Sequence, residues 1–280
     1  MSEMKKIMLT PRGFSSVPIE ADVISPDVFA GKTMDEIRNL PIYYGNEKVA
    51  MKEYIHAQGK IADKPEEQLI VMDGDARHIK HIGAGMTAGR IVIQGYAGMH
   101  LGAQMSGGDI TVTDNVLDWA GAEMKGGLIR VLGDAGNLLG AAYRGSSEGM
   151  TGGCILVTGN AGSEVGSFMR RGKIVVMGNT GDFTGVHMNG GEVFIFGKPG
   201  KRAGAQAKGN GGFIACFSGV DEMLPTYRYD TTYTPTFMRM YLKHLYEKLG
   251  VTIAHQFIDK PMKRYRGDLA VGGNAEILVA

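Results

Sequence analysis

Gly83-Ala-Gly-Met86-Thr-Ala-Gly89-Arg-Ile91-Val-Ile93 is the first of six related phrases in this chain. It returns as Gly102-Ala-Gln-Met105-Ser-Gly-Gly108-Asp-Ile110-Thr-Val112 and as Gly121-Ala-Glu-Met124-Lys-Gly-Gly127-Leu-Ile129-Arg-Val131. Shorter copies follow at Met150-Thr-Gly-Gly153-Cys-Ile155-Leu-Val157, Met169-Arg-Arg-Gly172-Lys-Ile174-Val-Val176 and Met188-Asn-Gly-Gly191-Glu-Val193-Phe-Ile195. The methionines step by 19, 19, 26, 19 and 19 residues. A fixed period near twenty marks a solenoid, in which each repeat buries its apolar face only by stacking on the next.

Every copy carries a short strand with period-two alternation. In Arg90-Ile91-Val92-Ile93-Gln94 the isoleucines point one way and their neighbours the other. Such a strand is too short to hold a sheet alone. One repeat per coil stacks the strands about 4.8 Å apart, and the Ile and Val columns become continuous interior ladders. The methionines form another ladder, since an unbranched thioether fills irregular interior space. The expected fold is all-β: a single-stranded parallel β-helix of about seven coils, right-handed as parallel crossovers are by default.

The 43 glycines among 280 residues read as corner pieces of this coil. Gly89, Gly108, Gly127, Gly153, Gly172 and Gly191 share one column, and Gly98, Gly136, Gly162, Gly181 and Gly200 another. Both columns are expected to turn corners at positive φ, where glycine alone is unstrained. A phosphate-cradling glycine loop is the rival reading, and it fails because no long helix follows each strand.

Three segments are expected: an N-terminal arm over 1–68, the repeat over 69–219 and a helix-containing cap over 220–280. In the arm, Thr33-Met-Asp-Glu36 is a capping box before a short helix that stops ahead of Pro41. Tyr43 to Val49 reads as a turn between short strands. Near the C-terminus, Thr234 caps a helix with Pro235 at its first position, and Gly250 ends it. Phe237, Met238, Tyr241, Leu242, Leu245 and Leu249 share one face, expected to close the end of the stack. Ile277-Leu-Val279 reads as a last strand.

Residues that contact a neighbour are sought where the repeat is broken. The 26-residue step holds the insertion Tyr143-Arg144-Gly-Ser-Ser-Glu148-Gly149, and solenoid insertions leave as loops on one face. Trp119 occupies an outward column with His100, Leu138, Glu164, Phe183 and Arg202, so it needs a covering loop or a partner. Trp119, Tyr143, Arg144 and Glu148 are therefore the interaction candidates; Met86, Met105, Met124, Met150, Met169 and Met188 are the structural ones.

Catalytic and metal-binding motifs are sparse. There is no Gly-x-Ser-x-Gly elbow, HExxH or Walker loop. His78 and His81 beside Asp75 resemble a metal pair but lack a spaced third ligand, so they read as surface histidines. The acids scatter rather than gather on one outward column. Cys154 and Cys216 lie in inward-type strand neighbourhoods without CxxC spacing, as in a reduced cytoplasmic protein. Net charge is +1, with 30 basic and 29 acidic residues interspersed, so no strong field points to nucleic acid or a membrane surface. Met1-Ser-Glu-Met-Lys-Lys-Ile7 has no apolar signal core, and no apolar run is long enough for a membrane span.

The phrase Gly-x-x-Met-x-Gly-Gly-x-Ile-x-Val resembles the glycine-repeat β-helix at the C-terminal end of the large glutamate synthase subunit. More closely, the chain resembles the family of formylmethanofuran dehydrogenase C subunits. The resemblance runs through Leu9-Thr10-Pro11, Pro26-Asp27-Val28-Phe29-Ala30-Gly31-Lys32, Asp73-Gly74-Asp75, Tyr143-Arg144-Gly145 and Gly267-Asp268-Leu269-Ala270-Val271-Gly272-Gly273, nearly the whole length. It implies a scaffold component, without catalytic, cofactor or metal residues of its own, in a cytoplasmic complex of methanogenic archaea. That complex reduces carbon dioxide and fixes it as formylmethanofuran with ferredoxin electrons. The molybdenum- or tungsten-pterin site, the dinuclear metal site of an amidohydrolase-like subunit and the iron–sulfur clusters of a polyferredoxin-like subunit are implied on partners. Association with a larger electron-bifurcating assembly is implied as well. A related complex that transfers and hydrolyses formyl groups is the alternative, and a stand-alone β-helix enzyme a further one.

Overall fold

A computed structural model describes residues 4–13 and 17–280. The first three residues of the N-terminal stretch read above lie outside the described residues. The chain is mostly β, built on one thirteen-stranded sheet. Its middle is the repeat: Arg90–Gln94, Asp109–Val112, Leu128–Val131, Cys154–Val157, Lys173–Val176, Glu192–Ile195 and Phe213–Cys216 pair in sequence order, all parallel. The register keeps the columns intact, with Ile91 opposite Ile110, Ile110 opposite Ile129 and Ile155 opposite Ile174.

Successive repeats also meet away from this sheet. Isolated parallel bridges join Ala76, Ala97, Val116, Ala135, Ala161 and Thr180 in order. At a further corner the amides of Gly102, Gly121 and Gly140 donate to the carbonyls of Ile82, Leu101 and Ala120, at 2.8–2.9 Å. At the methionine corner, Ser106 N–H donates to Met86 O and Lys125 N–H to Met105 O, both at 2.8 Å. Each repeat therefore returns to the same places above its predecessor. The 26-residue step obeys the same rule: Gly166 N–H still reaches Leu139 O at 2.8 Å, and the surplus residues loop out between Ala142 and Met150.

Inside lie the apolar ladders. Ile91, Ile110, Ile129, Ile155 and Ile174 are fully buried, and so are Ile93, Val112, Val131, Val157 and Val176. Met86, Met105, Met124, Met150 and Met169 are equally buried, and Met188 is 3% exposed. Burying one such side chain contributes about 1.5–3 kcal/mol.

The two glycine columns have different physical causes. Gly89, Gly108, Gly127, Gly153, Gly172 and Gly191 do sit at positive φ, between 79° and 93°. The column of Gly98, Gly136, Gly162, Gly181 and Gly200 does not, which corrects the expectation of a second positive-φ corner. These glycines, with Gly178 and Gly197 in a neighbouring column, are small because something passes close by. A Cβ on Gly178 would stand 2.5 Å from Asn160 Oδ1 and 2.7 Å from Gly159 O.

At Gly136, Gly162, Gly178, Gly197 and Gly200 what passes is a ladder of Asn and Asp side chains, while Gly98 meets backbone of an earlier turn and Gly181 meets Ser163. Asn115 Oδ1 accepts from Asp134 N–H, Asp134 Oδ1 from Asn160 N–H, Asn160 Oδ1 from Asn179 N–H and Asn179 Oδ1 from Lys198 N–H, at 2.6–2.9 Å. A second row runs from Asp118 to Asn137 N–H, from Asn137 to Ser163 N–H and from Asp182 to Lys201 N–H, at 2.7–2.8 Å. Asp118 and Asp182 share the second row and Asp134 stands in the first, and each is engaged with backbone.

Other left-handed positions carry side chains. His81, His100, Trp119, Leu138, Glu164, Phe183 and Arg202 form one column at φ 59–67°. Gln104, Glu123, Phe168, His187 and Gln206 form another at φ 53–59°.

Strands from outside the repeat extend the sheet at both ends. Lys5–Pro11 and Gln68–Asp73 add parallel strands before Arg90–Gln94, and Ile55–Gly59 closes that edge antiparallel. At the other end Ala275–Val279 adds a parallel strand, and Met262–Gly267 and Arg228–Tyr233 follow antiparallel. The capping box forms as read: Thr33 Oγ1 accepts from Glu36 N–H at 3.3 Å, and Glu36 Oε2 accepts from Thr33 N–H at 2.7 Å.

The long helix spans Thr236–Leu249, with Pro235 as its N-cap in place of Thr234 and Gly250 left-handed at its C-cap. It does not close the end of the stack. Met238, Leu242 and Leu245 pack on Leu156, Val175, Phe194, Phe213 and Ala215, side chains on the outer face of successive strands. Arg130 Nη1 donates to Leu249 O at 3.1 Å and ties the helix's last turn to an earlier strand. The sequence hid this because Leu156, Val175 and Phe194 belong to the columns held elsewhere by Val92, Thr111 and Arg130. Cys216 continues the inward column. Cys154 instead begins its strand in the column of Asp109 and Lys173 and is only partly buried, a correction to its inward reading.

Gly127→Val places a branched side chain at φ +85°, with Gly108 O and Met105 Cε each 2.7 Å from the new Cβ. Strain of this kind costs about 1–3 kcal/mol before the overlap is added. Urea denaturation should show a loss at least that large, and Gly178→Ala should be destabilised through contact alone. Gly85→Ala, at φ +67° but with open space around its Cβ, carries strain without overlap and should lose less than Gly127→Val; equal midpoints for all three would refute the two causes given for the columns.

Candidate interaction surface

The left-handed column at His81, His100 and Trp119 builds an aromatic stack. The period of the repeat puts one ring per coil, and the shared φ aims them alike. His81 and His100 lie with ring centroids 4.5 Å apart and planes 6° from parallel, and His100 stands 6.1 Å from Trp119. The column itself is legible in the spacing. His81 falls one period before His100, a place that its nearness to His78 and Asp75 disguises as half of a metal pair.

The insertion supplies the cover that Trp119 requires. Tyr143 stacks on Trp119 at 5.1 Å and lies 5.5 Å from His100. Its hydroxyl is 3.0 Å from His100 Nδ1, and its amide donates to Glu123 Oε1 at 3.2 Å. Arg170 Nη2 pins the loop from the next repeat by donating to Ser147 O at 3.0 Å. Arg144 and Glu148 point to solvent, whereas Trp119 and Tyr143 are half-buried. The structure thus joins Trp119 to Tyr143 in one stack and leaves Arg144 and Glu148 exposed on the same loop. The six methionines lie in the interior and take no part in this surface.

Beneath the loop is a cleft of about 340 Å³, walled by Trp119, Tyr143 and Phe168, with Arg144 and Glu164 at its margin. Phe168 stacks on His187 at 4.4 Å, so the second left-handed column adds a parallel pair of rings. Both columns project side chains from a stiff ladder, and together with the loop they offer rings, a guanidinium and carboxylates on one side.

Electrostatics argue against proton traffic here. Burial, and then the charge of neighbouring His81, pushes His100 down to about 4. Burial also lowers His81 and lifts Tyr143 to about 12, with the Glu123 carboxylate adding to the latter. A general acid or base works best near the operating pH, and these groups are moved away from it. Both thiols are raised by burial, Cys154 to about 11 and Cys216 to about 12, away from the thiolate that ligates metals. Among the described residues no group of three His, Cys, Asp or Glu is placed to hold a metal ion. Asp75 is ion-paired to Arg77 at 2.7 Å.

Comparison with known proteins bears out the family resemblance. The chain is 47% identical over 96 residues to the C subunit of the tungsten-containing formylmethanofuran dehydrogenase 2 of Methanothermobacter wolfeii, covering 34% of this chain and 36% of the relative. It is 41% identical over 97 residues to the C subunit of the molybdenum-containing formylmethanofuran dehydrogenase 1 of Methanosarcina barkeri, covering 35% and 32%. The match spans about a third of the length of these curated relatives, less than the nearly full-length resemblance read from motifs. No family model matches the chain. A chain in the crystal structure of the formyltransferase/hydrolase complex (FhcABCD) from Methylorubrum extorquens, in complex with methylofuran, superposes with a TM-score of 0.87 at 27% identity, covering 97% of this chain and 98% of that one.

Trp119 is the sole tryptophan, so Tyr143→Ala should shift its emission to longer wavelength as the ring loses its cover. An unmoved spectrum in a folded variant would contradict the stack. The depressed His100 binds fewer protons folded than unfolded between about pH 6.5 and about 4. Its contribution is therefore complete above 6.5 and is lost as pH falls through that window. His100→Phe, tolerable because Phe183 already holds this column at φ 61°, should flatten the fall in melting temperature there. Parallel curves for parent and variant would exclude the role given to His100.

Proposed function

We propose that this chain is a structural component of a formylmethanofuran dehydrogenase complex and carries no active site of its own. Its stacked repeats are read as the coils of a right-handed parallel β-helix, with residues 1–68 and 220–280 as end pieces on 69–219. In this reading the helix is a rigid wedge that fixes catalytic subunits against one another in a cytoplasmic assembly. The named relatives carry the argument: they are subunits of tungsten- or molybdenum-containing formylmethanofuran dehydrogenases.

The residues support the same assignment. The ladder's Asn and Asp carbonyl and carboxylate oxygens are occupied by backbone amides, and the histidine of the aromatic column is held neutral by burial. Cys154 and Cys216 lie on different strands, and among the described residues neither belongs to a group of three His, Cys, Asp or Glu placed to hold a metal ion. The pterin-metal and iron–sulfur groups are assigned to the partners as the family resemblance implies. The partners expected are an amidohydrolase-like subunit, the subunits holding the molybdenum- or tungsten-pterin, and a polyferredoxin-like subunit. The surface of Trp119, Tyr143, Arg144 and Glu148 is assigned to one of these contacts.

The second reading is a formyltransferase/hydrolase complex, favoured by the structural likeness over 97% of the chain. One purification separates the two. The tagged chain should bring down large partners at native mass, and the assembly should be assayed for tungsten or molybdenum and for formylmethanofuran oxidation with an electron acceptor. Formyl transfer without that oxidation would select the second reading. Recovery of the chain alone, turning over a substrate, would refute both.

A further inference from the structure

Two clefts border the strand Ile55–Gly59, the edge strand at one side of the large sheet. One, of about 700 Å³, is lined by Lys5, Lys6 and Lys60 together with Met4, Met8 and Gln58. The other, of about 420 Å³, is lined by Arg12, Arg38, Lys52 and His56. Every ionisable side chain lining either cleft is basic, although the chain as a whole has 30 basic and 29 acidic residues. Among the described residues Lys5 pairs with exposed Asp63 at 3.3 Å, while Lys6, Arg12, Arg38, Lys52 and Lys60 have no ion pair within 4.0 Å.

The backbone decides what can bind there. Arg12 N–H donates to Tyr54 O and Lys60 N–H to Lys6 O, so the even-numbered residues bond inward and Ile55, Ala57 and Gly59 face the open edge. Arg38 Nε and Nη2 both donate to Ala57 O, at 3.2 and 2.9 Å. A continuous added strand would need that carbonyl, so the edge is closed to simple strand addition, as natural sheet edges are. The same two bonds hold the Arg38 guanidinium in place and leave three of its five N–H groups free. A pre-oriented fork suits a carboxylate.

We propose that this edge docks an extended acidic segment of a partner protein. Its carboxylates would lie along Lys6, Lys60, Lys52, Arg12 and Arg38. The charges are spread over a strand about 17 Å long instead of converging on one point, which fits a chain of carboxylates better than a small oxyanion. No Phe, Tyr or Trp lines either cleft, and His56 is the one ring among the lining residues, so a platform on which successive bases could stack is missing. The surface is distinct from the aromatic column and stands whichever assembly the chain enters.

Fluorescence anisotropy of a labelled peptide alternating Glu and Thr, titrated with the full chain, tests this. Binding is expected at low ionic strength and should weaken as salt screens the charges. Arg12→Glu with Lys52→Glu should weaken it about tenfold or more, while Lys243→Glu, exposed on the long helix, should leave it unchanged. If the first pair disturbs folding by circular dichroism, Lys6→Gln with Lys60→Gln makes the same comparison. Lack of binding at low salt, equal affinity for the edge variants, or tighter binding of a charge-matched oligonucleotide would overturn the proposal.

Discussion

Every repeat must return to the same heading, one strand spacing above the one before it, and this closure condition governs the molecule. Nineteen residues satisfy it, and the surplus in the longer step is expelled as a loop so that the ladder stays unbroken. Closure places identical residue types above one another. A single apolar choice, repeated, becomes a continuous interior column, and a single error would be felt by the coils on both sides. This is why the interior is so uniform while the exterior columns vary.

Closure also requires backbone that most residues avoid. Non-glycine residues at positive φ cost on the order of 1–3 kcal/mol each, yet two columns of them run along the stack. The compensation is local. The amides of His100, Trp119, Leu138 and Glu164 each donate to the next repeat at 2.8–3.0 Å, and those of Gln104, Glu123 and Phe168 do so at 2.7–3.1 Å. The left-handed turn points the N–H along the stack and the side chain away from it. Strain in the backbone therefore produces the outward display of rings and charges on which the candidate surface rests.

Much of this is legible because the period is written in the sequence. The Met, Ile and Val columns, the looping-out of Tyr143 to Gly149 and the outward place of Trp119 all follow from the spacing. Three things do not. Spacing cannot distinguish a glycine needed for its φ from one needed for its lack of Cβ, so it assigns both columns one cause. Asn and Asp at 115, 134, 160 and 179 recur at the period too, but their role depends on a hydrogen bond across coils that spacing alone does not specify. The helix is misplaced because its apolar face has two available partners, the open end of the stack and the outer face of the sheet, and amphipathicity says nothing about which. Leu156, Val175 and Phe194, apolar where other repeats are polar, carry the signal that would have placed it.

A stack with identical ends would invite more of itself, since each terminal coil presents what the next coil needs. Here the sheet finishes with antiparallel strands at both limits, Ile55–Gly59 on one side and Met262–Gly267 with Arg228–Tyr233 on the other. The reversed strands stand where a further parallel repeat would otherwise pair, and Arg38 occupies an outward carbonyl at one of the two borders. The repeat is thereby bounded on both sides by strands of the same chain that do not belong to it.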